Sequence, residues 1–348
     1  MKKHLILYIL LGILPLSCLY GCAKPETFSY TYSDIGFDTV ITFKATCTEK
    51  EYKNYETIVK ETFKEYDTYF DQYTEYEGLN NVWYLNHHAY NNPVEVNDVL
   101  LDCIQASLTL NEMNANFDIT YGSLLHIWHT YREQGTSIPS QEEIQQAYPH
   151  AGKDKLVIKG NTITYLDPAF KIDLGGIAKG YTCQKIKEKL NAEGLYNGFI
   201  NAGGNIVLLG PKADGSDWAI GIQNPNGDST GVYMTFKDEC AIVTSGDYQR
   251  FYEVDDKRYH HIIDLKTGYP ATYCRSVTII TNDSTLADFL STALFCMSYE
   301  DGKAFIDSLD GVEAVWMIDK GKVSSPALTL DSLDVFCTEG IKNQLFIG

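Results

Sequence analysis

The chain has 348 residues, 44% of them hydrophobic, with 25 tyrosines and a formal charge of −18. That length allows a large core in one domain or two. The acidic balance argues against a duplex-binding protein, which needs a basic face to neutralise phosphates.

At the N-terminus, Lys2-Lys3, an apolar run from Leu5 to Leu16 and then Leu19-Tyr20-Gly21-Cys22 follow the order of a secretory signal. The pattern resembles a bacterial lipoprotein signal, in which the cysteine after a small residue is lipidated and becomes the new N-terminus; Tyr20 stands where a small residue is usual. With Gly12 and Pro15 inside it, the run is a poor membrane-spanning helix. The expected division is a signal segment at 1–21, a lipidated tether at 22–31 and a folded unit at 32–348, exported and anchored to the outer face of the cell membrane. Of nine cysteines, Cys18 falls in the signal and Cys22 would carry lipid. The other seven form no Cys-x-x-Cys pair and no Cys/His spacing that suits zinc. Most lie in apolar runs as small hydrophobes, so no extensive disulfide framework is expected.

Lys24 to Tyr32 reads as tether, and Thr39–Ala45 as a strand. Tyr55, Val59, Phe63, Tyr66 and Phe70 recur at helical spacing and predict an amphipathic helix over 52–69. The segment ending at Val82, Leu85 and Asn86 reads as a surface loop, after which Asn92-Pro93 turns into a helix over Asp98–Asn111. In Asn116-Phe117-Asp118-Ile119-Thr120, the Asp and Thr precede a helical stretch that includes Trp128. Capping is the ordinary role of such residues, a reading stronger for Thr120 than for Asp118. Residues 131–150 form a polar insertion with a short helix near Gln141–Ala147 and no chemistry of their own.

Asn161–Tyr165 reads as a strand, and Lys171–Leu174 as another that turns over Gly175-Gly176 into a helix ended by Gly194. Glycines at such a turn let backbone N–H groups approach an anion, and the helix N-terminus adds partial positive charge, so a pyrophosphate fits there. A glycine pair alone equally permits a mere tight crossover. Strands follow at Gly198–Asn201, Trp218–Ile222, Val232–Phe236 and Ala241–Thr244, an antiparallel meander with a turn at Asn224–Gly227.

Two constellations come next. Thr244–Phe251 leads into a hairpin over Asp255-Asp256 that returns through Tyr259–Asp264. Its adjacent His260 and His261 point to opposite faces, so only one can look into a given site. A near-neutral pKa suits that one to general-base work, while an ordinary surface and core pair is the plainer alternative. Then strand Val277–Ile280 runs through a cap at 282–284 into a helix over 285–297. There Asp288, Ser291 and Thr292 share one face at i, i+3 and i+4. Carboxylate and hydroxyl make a hard-oxygen site suited to Mg²⁺ shared with phosphate oxygens. A hydrogen-bonded Asp–Thr pair on a capped helix explains them equally.

Together, Asp173–Tyr181, Asn201–Asn205, Thr244–Tyr248, His261–Asp264 with Thr267-Gly268, and Ala287-Asp288 with Thr292 resemble, in order and spacing, the ApbE family of FAD:protein FMN transferases. The resemblance runs from about Tyr32 to Ile318. It implies a single α+β catalytic unit of mixed, largely antiparallel sheets with flanking helices and one βαβ-like crossover that binds the flavin pyrophosphate. It further implies that Asn116, Phe117 and Asp118 lie beside FAD, that Asp173 and Lys179 contact it, and that Asp38, Thr39, Ser245, Gly246 and Ile262 belong to the same binding site. Mg²⁺ is implied on the side chains of Asp288 and Thr292 with backbone oxygens near Gly176 and Ser291, and His261 is implied to assist catalysis. There are departures: Phe37-Asp38-Thr39 replaces Met-Gly-Thr, Ile119 and Leu265 replace prolines, Asn80 a serine and Gln184 an aspartate.

The implied reaction is Mg²⁺-dependent transfer of FMN from FAD to a threonine hydroxyl of an exported or membrane partner, a membrane electron-transfer subunit, with release of AMP. The same site supplied with water would be an FAD pyrophosphatase giving FMN and AMP. A lipoprotein that binds FAD without turnover is the other alternative; Asp288 and Thr292 favour catalysis over binding alone.

Overall fold

A computed structural model describes residues 25–227 and 229–347, so the signal segment with Cys18 and Cys22 lies outside the described residues. The main sheet has nine strands: β1 (Glu26–Tyr32), β2 (Ile41–Cys47), β3 (Gly198–Ala202), β4 (Asn205–Leu208), β5 (Cys240–Gly246), β6 (Ser276–Thr281), β7 (Glu313–Asp319), β8 (Leu328–Leu330) and β9 (Leu333–Cys337). They lie in the order β1-β2-β3-β4-β5-β6-β7-β9-β8, and each neighbouring pair is antiparallel. The helices are α1 (Glu49–Phe70), α2 (Val82–His88), α3 (Asp98–Asn111), α4 (Gly122–Gln134), α5 (Gln141–Ala147), α6 (Ala178–Ala192), α7 (Ser284–Phe295) and α8 (Tyr299–Ile306).

Alternation along the strands separates two cores. Phe43, Ile200, Val243, Val277 and Ile279 join the helix-side core, whereas Leu208, Ile242, Ile280 and Met317 face a three-stranded sheet of Trp218–Gln223, Thr230–Phe236 and Leu345–Phe346. Helix α1 starts in a capping box between Thr48 and Glu51, and its stripe from Tyr52 to Phe70 is buried. Each Val or Phe so buried stabilises the fold by roughly 1.5–3 kcal/mol. The polar insertion is structural, for Ile144 of α5 and Trp128 of α4 pack with Tyr252 and Tyr259, anchoring the hairpin Phe251–Val254/Lys257–His260. That hairpin turns through Asp255 and Asp256, both at positive φ (51° and 58°), as a two-residue turn of this hand requires.

Several local expectations are corrected. Residues 26–32 are not tether but edge strand β1, which pairs with β2 and adds a Thr27–Thr46 hydroxyl contact of 2.9 Å. The expected loop near Val82 is helix α2, because Asn81 caps it by accepting from Tyr84 N–H at 2.9 Å while Val82 and Leu85 are buried. Lys171–Leu174 is not a strand. One isolated bridge ties Lys171 to Tyr121, and the Asn86 amide takes over the role of a neighbouring strand, donating to Ile172 O (3.0 Å) and accepting from Ile172 N–H (2.9 Å). With β3 antiparallel to both its neighbours, the passage through α6 is not a βαβ unit; it links the small sheet of Val94–Glu95, Leu156–Lys159 and Thr162–Tyr165 to the main one. Thr120 is not a helix cap: its hydroxyl accepts from Gly152 N–H at 3.0 Å, whereas Asp118 Oδ1 turns the chain by accepting from Thr120 N–H at 2.9 Å.

The seven cysteines of the described residues are free and buried. No helix among the described residues is long and apolar enough to cross a membrane.

Candidate active site

A cleft of about 960 Å³ opens where the loop before β2, the Gly203-Gly204 turn, the end of β5, the loop 173–176 and helix α7 come together. The residues singled out from the sequence converge on it. Asp38, Thr39, Asn116, Phe117, Asp118, Asp173, Gly176, Lys179, Ser245, Gly246, His261, Ile262, Asp288 and Thr292 line it; Ser291 does not.

One corner is built by two helices pressed together. Asp288 of α7 is 4% exposed, and its Oδ2 accepts from Gly180 N–H of α6 at 2.8 Å. Only glycine permits this approach, since a Cβ at position 180 would lie 2.3 Å from Ser284 O and 2.4 Å from Asp288 Cβ. One turn on, the Thr292 hydroxyl faces Gly176, where a Cβ would come within 3.1 Å of Oγ1. Ser291 stands behind, its Oγ 2.8 Å from Ser245 Oγ and donating to Asp288 O at 2.9 Å. Among the described residues no three His, Cys, Asp or Glu side chains gather to hold a metal by themselves. A single buried carboxylate, a hydroxyl and nearby backbone oxygens therefore suit a cation that completes its shell with water and phosphate oxygens, which is the habit of Mg²⁺. The donor set fits that ion.

Next to this corner the loop before α6 is held by Asp173, whose Oδ1 accepts from Gly175 N–H (2.7 Å) and Oδ2 from Gln72 Nε2 (2.7 Å). Asn116 donates to Asn114 Oδ1 at 2.8 Å, and the Phe117 ring meets Phe289 edge-on at 5.2 Å. Across the cleft, Phe37 and Asp38 both take positive φ (62° and 47°). Asp is among the few residues that tolerate the left-handed region, so it can stand where the resemblance leads one to expect glycine. The strained turn is fastened at both ends, by Phe37 N–H donating to Asp67 Oδ1 (2.7 Å) and Arg250 donating to Phe37 O (3.1 Å).

The histidine pair divides as strand geometry requires. His260 is buried and satisfied, Nε2–H donating to Ala271 O (2.8 Å) and Nδ1 accepting from Ile262 N–H (3.2 Å). His261 faces the cleft, and its Nδ1–H donates to Arg250 O at 3.2 Å. That bond fixes the tautomer and leaves the Nε2 lone pair free. Although part of its surface meets cleft water, protein walls off the rest. This desolvation, followed by the positive charges of Arg250, His260, Lys179 and Arg132, drives the His261 pKa well below 6.5. The imidazole is neutral at pH 7.

Sequence reasoning missed one wall. Tyr73, 47% exposed, stacks on His129 with centroids 4.1 Å apart, and Arg132 donates to His129 Nδ1 at 2.7 Å. The three-residue spacing of His129 and Arg132 on one helix was the available signal; nothing in the sequence pointed to Tyr73.

The family model described as "ApbE family" matches residues 37–316. The chain belongs to the ApbE family. It is 30% identical over 304 residues to the FAD:protein FMN transferase of Vibrio cholerae serotype O1, across 86% of this chain and 90% of that one. With the FAD:protein FMN transferase of Treponema pallidum it shares 31% over 270 residues, 72% and 74% of the two chains. Among solved structures, the ApbE protein of Thermotoga maritima superposes with a TM-score of 0.78 at 30% identity, covering 92% of this chain and 99% of its own. The flavin transferase ApbE from Vibrio cholerae gives 0.76 at 25% identity, with 92% and 100% covered. The α+β architecture with antiparallel sheets and flanking helices is thus that of the ApbE flavin transferases.

Proposed function

We propose that the chain transfers FMN from FAD to a threonine hydroxyl of another protein and releases AMP. Its relatives are named for FMN transfer from FAD to a protein. The observation that carries the reading is the meeting, in one cleft, of the Asp288–Thr292–Gly176 corner with a neutral histidine whose Nε2 is unengaged.

Lys179 and the loop at Gly175-Gly176 line the cleft and would receive the FAD pyrophosphate. His261 Nε2 accepts the proton of the acceptor hydroxyl, whose oxygen attacks the FMN-side phosphorus. The P–O bond to AMP breaks and its electron pair leaves with AMP. Lys179, on the cleft wall, would favour the charge that develops on the leaving phosphate. Asp288 and Thr292, with backbone oxygens near Gly176 and Ser291, would hold Mg²⁺, which supplies Lewis-acid neutralisation of phosphate charge.

The signal-like start through Cys22 supports export and lipid anchoring, which would set the cleft at the outer face of the membrane, opposite a membrane electron-transfer subunit as acceptor. Loss of membrane association in a Cys22→Ala chain tests the anchor; an unchanged membrane fraction argues against it.

The activity is tested with the chain from Ala23 onward, given FAD and Mg²⁺ with and without a threonine-bearing acceptor domain. AMP release is followed beside covalent flavin fluorescence on a denaturing gel. A fluorescent acceptor band matched by AMP supports transfer. AMP without any band points to hydrolysis of FAD, and FAD retained without AMP to a carrier. In Asp288→Ala, full transfer at ordinary Mg²⁺ would remove the metal assignment.

A further inference from the structure

The main sheet ends differently at its two edges. At one, β8 is only three residues long, which is a common way to keep an edge from pairing with another chain. At the other, β1 runs for seven residues in unbroken register with β2, from Glu26 opposite Cys47 to Tyr32 opposite Ile41. Its outer side pairs with no strand among the described residues. It carries no proline, no lysine and no bulge, the devices that blunt such an edge. On one face Phe28 and Tyr30 lie against Tyr52 of α1, with centroids 5.0 and 5.6 Å away, yet Tyr30 stays 54% exposed. Thr27, Ser29 and Thr31 are exposed on the other face. The charged groups around the strand are of both signs: Glu26 itself, Lys44 opposite Ser29, the Glu49–Lys53 pair near Tyr30 and the Glu56–Lys60 pair at Tyr32. No single-sign field guards this edge against a like surface.

What the edge fits is written in its own sequence. Glu26-Thr27-Phe28-Ser29-Tyr30-Thr31-Tyr32 has nearly the same pattern in both directions about Ser29. Residues directly opposite one another in a sheet share a face, so an antiparallel copy must keep even positions against even and odd against odd. Among such registers, the one centred on Ser29 uses all seven residues. It sets Thr27 against Thr31, Phe28 against Tyr30 and Glu26 against Tyr32, favourable cross-strand pairs in which no like charges meet. A register centred on Phe28 or Tyr30 leaves two residues of each strand unpaired.

We propose that β1 is a dimerisation edge, to which a second copy of this chain adds its own β1 antiparallel about a two-fold axis through Ser29. The row Asn201–Thr42–Thr31 crosses the sheet from the cleft, which Asn201 and Thr42 line, to this edge. Thr27 of the second copy extends the row, so the added strand stands about 10 Å, two strand spacings, from the Thr42 wall of the cleft. A strand pair of this length is a small interface of the weak class. Cys22 lies four positions before Glu26, so on the anchored chain proposed above two copies would present this edge at one height over the lipid, which raises their local concentration. The pairing itself does not depend on the transfer reading.

The test uses the chain from Ala23, which lacks Cys22 and whose seven cysteines are buried. Sedimentation velocity across a concentration series is expected to show a monomer–dimer equilibrium. Ser29→Lys, which sets two like charges face to face, weakens it by about five-fold. Register is read with introduced cysteines. Ser29→Cys, incubated with oxidised glutathione and quenched with N-ethylmaleimide, is expected to give a disulfide dimer, since opposed Cα atoms lie about 4.5–5.5 Å apart. Thr27→Cys and Thr31→Cys chains stay monomeric alone and crosslink only when mixed. Thermal melts check that each variant folds. A chain that is monomeric at every concentration, a dimer indifferent to Ser29→Lys, or a Thr27→Cys chain that crosslinks with itself as readily as Ser29→Cys overturns the proposal. A monomeric chain in which Ser29→Lys abolishes transfer to the acceptor domain also overturns it and assigns the edge to the acceptor. AMP release by the unsubstituted chain is scored separately, so failure of the transfer reading is recorded apart from the dimer result.

Discussion

Substituting Gly180 by alanine tests whether the pressed contact of α6 and α7 sets the chemistry. The added Cβ would stand 2.3 Å from Ser284 O, and ordinary contact begins at 3.4 Å, so the helices must part by the difference, 1.1 Å. The 2.8 Å bond from Gly180 N–H to Asp288 Oδ2 cannot survive that movement at full strength. Overpacking costs about 1–3 kcal/mol, and a weakened hydrogen bond to a carboxylate adds about 1 kcal/mol. Unfolding entropy near 2 cal/mol/K per residue gives roughly 0.7 kcal/mol/K for a unit of this size. The melting temperature should therefore fall by about 3–6 °C. A displacement near 1 Å of a group that positions the substrate costs about 100-fold in rate. The assay is AMP release at saturating FAD across a Mg²⁺ series, beside a thermal melt. Gly227→Ala is the control, since nothing lies within 4 Å of a Cβ there. A Gly180→Ala chain with unchanged melting and unchanged Mg²⁺ dependence would refute the reasoning.

Other outcomes follow from the same geometry. His261→Gln should slow transfer by about 10²–10⁴-fold. Because the His261 pKa lies well below 6.5, activity should stay level from pH 8 to 6.5 and fall only in more acid solution; a midpoint at 6.5 or above contradicts the assignment. His260 and His261 both have folded pKa values below their unfolded ones, so the unfolded chain binds more protons as pH drops through 6.5. Stability is thus full above that pH and lost below it, a trend that melts at pH 7.5 and 5.5 would show and that His260→Gln should soften. Asp173→Ala frees both Gly175 N–H and Gln72 and should weaken FAD binding by about ten-fold, for a loss of roughly 1.4 kcal/mol; an unchanged fluorescence titration counts against that role. Thiol titration of the chain from Ala23 should find seven groups in denaturant and few in the native state, since all seven are buried and free.

The parts of the fold legible in the sequence are those whose burial imposes a period. Helix α1 declares itself through Tyr55, Val59 and Phe63 because that face packs on the sheet, and α3 and α7 follow the same logic. Strand β1 stays hidden because, at the sheet edge, only Phe28 and Tyr32 are partly buried and the other side chains are solvent-exposed. Helix α2 hides for another reason: its amide residues resemble a loop, yet Asn81 caps the helix and Asn86 satisfies the backbone of Ile172. A side chain that substitutes for a strand leaves no periodic trace, so Lys171–Leu174 reads as a strand without being one.

The site divides along a related line. Gly180 and Gly176 are visible because helix α7 comes so close that a side chain has no room, and the same closeness delivers Asp288 and Thr292 to the cleft. There the sequence pattern and the chemistry share one cause, namely backbone approach. Tyr73, Arg132 and Arg250 have no such constraint. They are partly or fully exposed, tolerant positions locally, and acquire meaning only when α4 and the hairpin dock beside His261. Residues of that kind are free to vary with the partner that must be recognised. A cleft whose floor is dictated by backbone contact and whose rim is not keeps its Asp288 corner through rim substitutions, but charge reversal at Arg132 or Arg250 should raise the His261 pKa and so move the acid limb of AMP formation toward neutral pH.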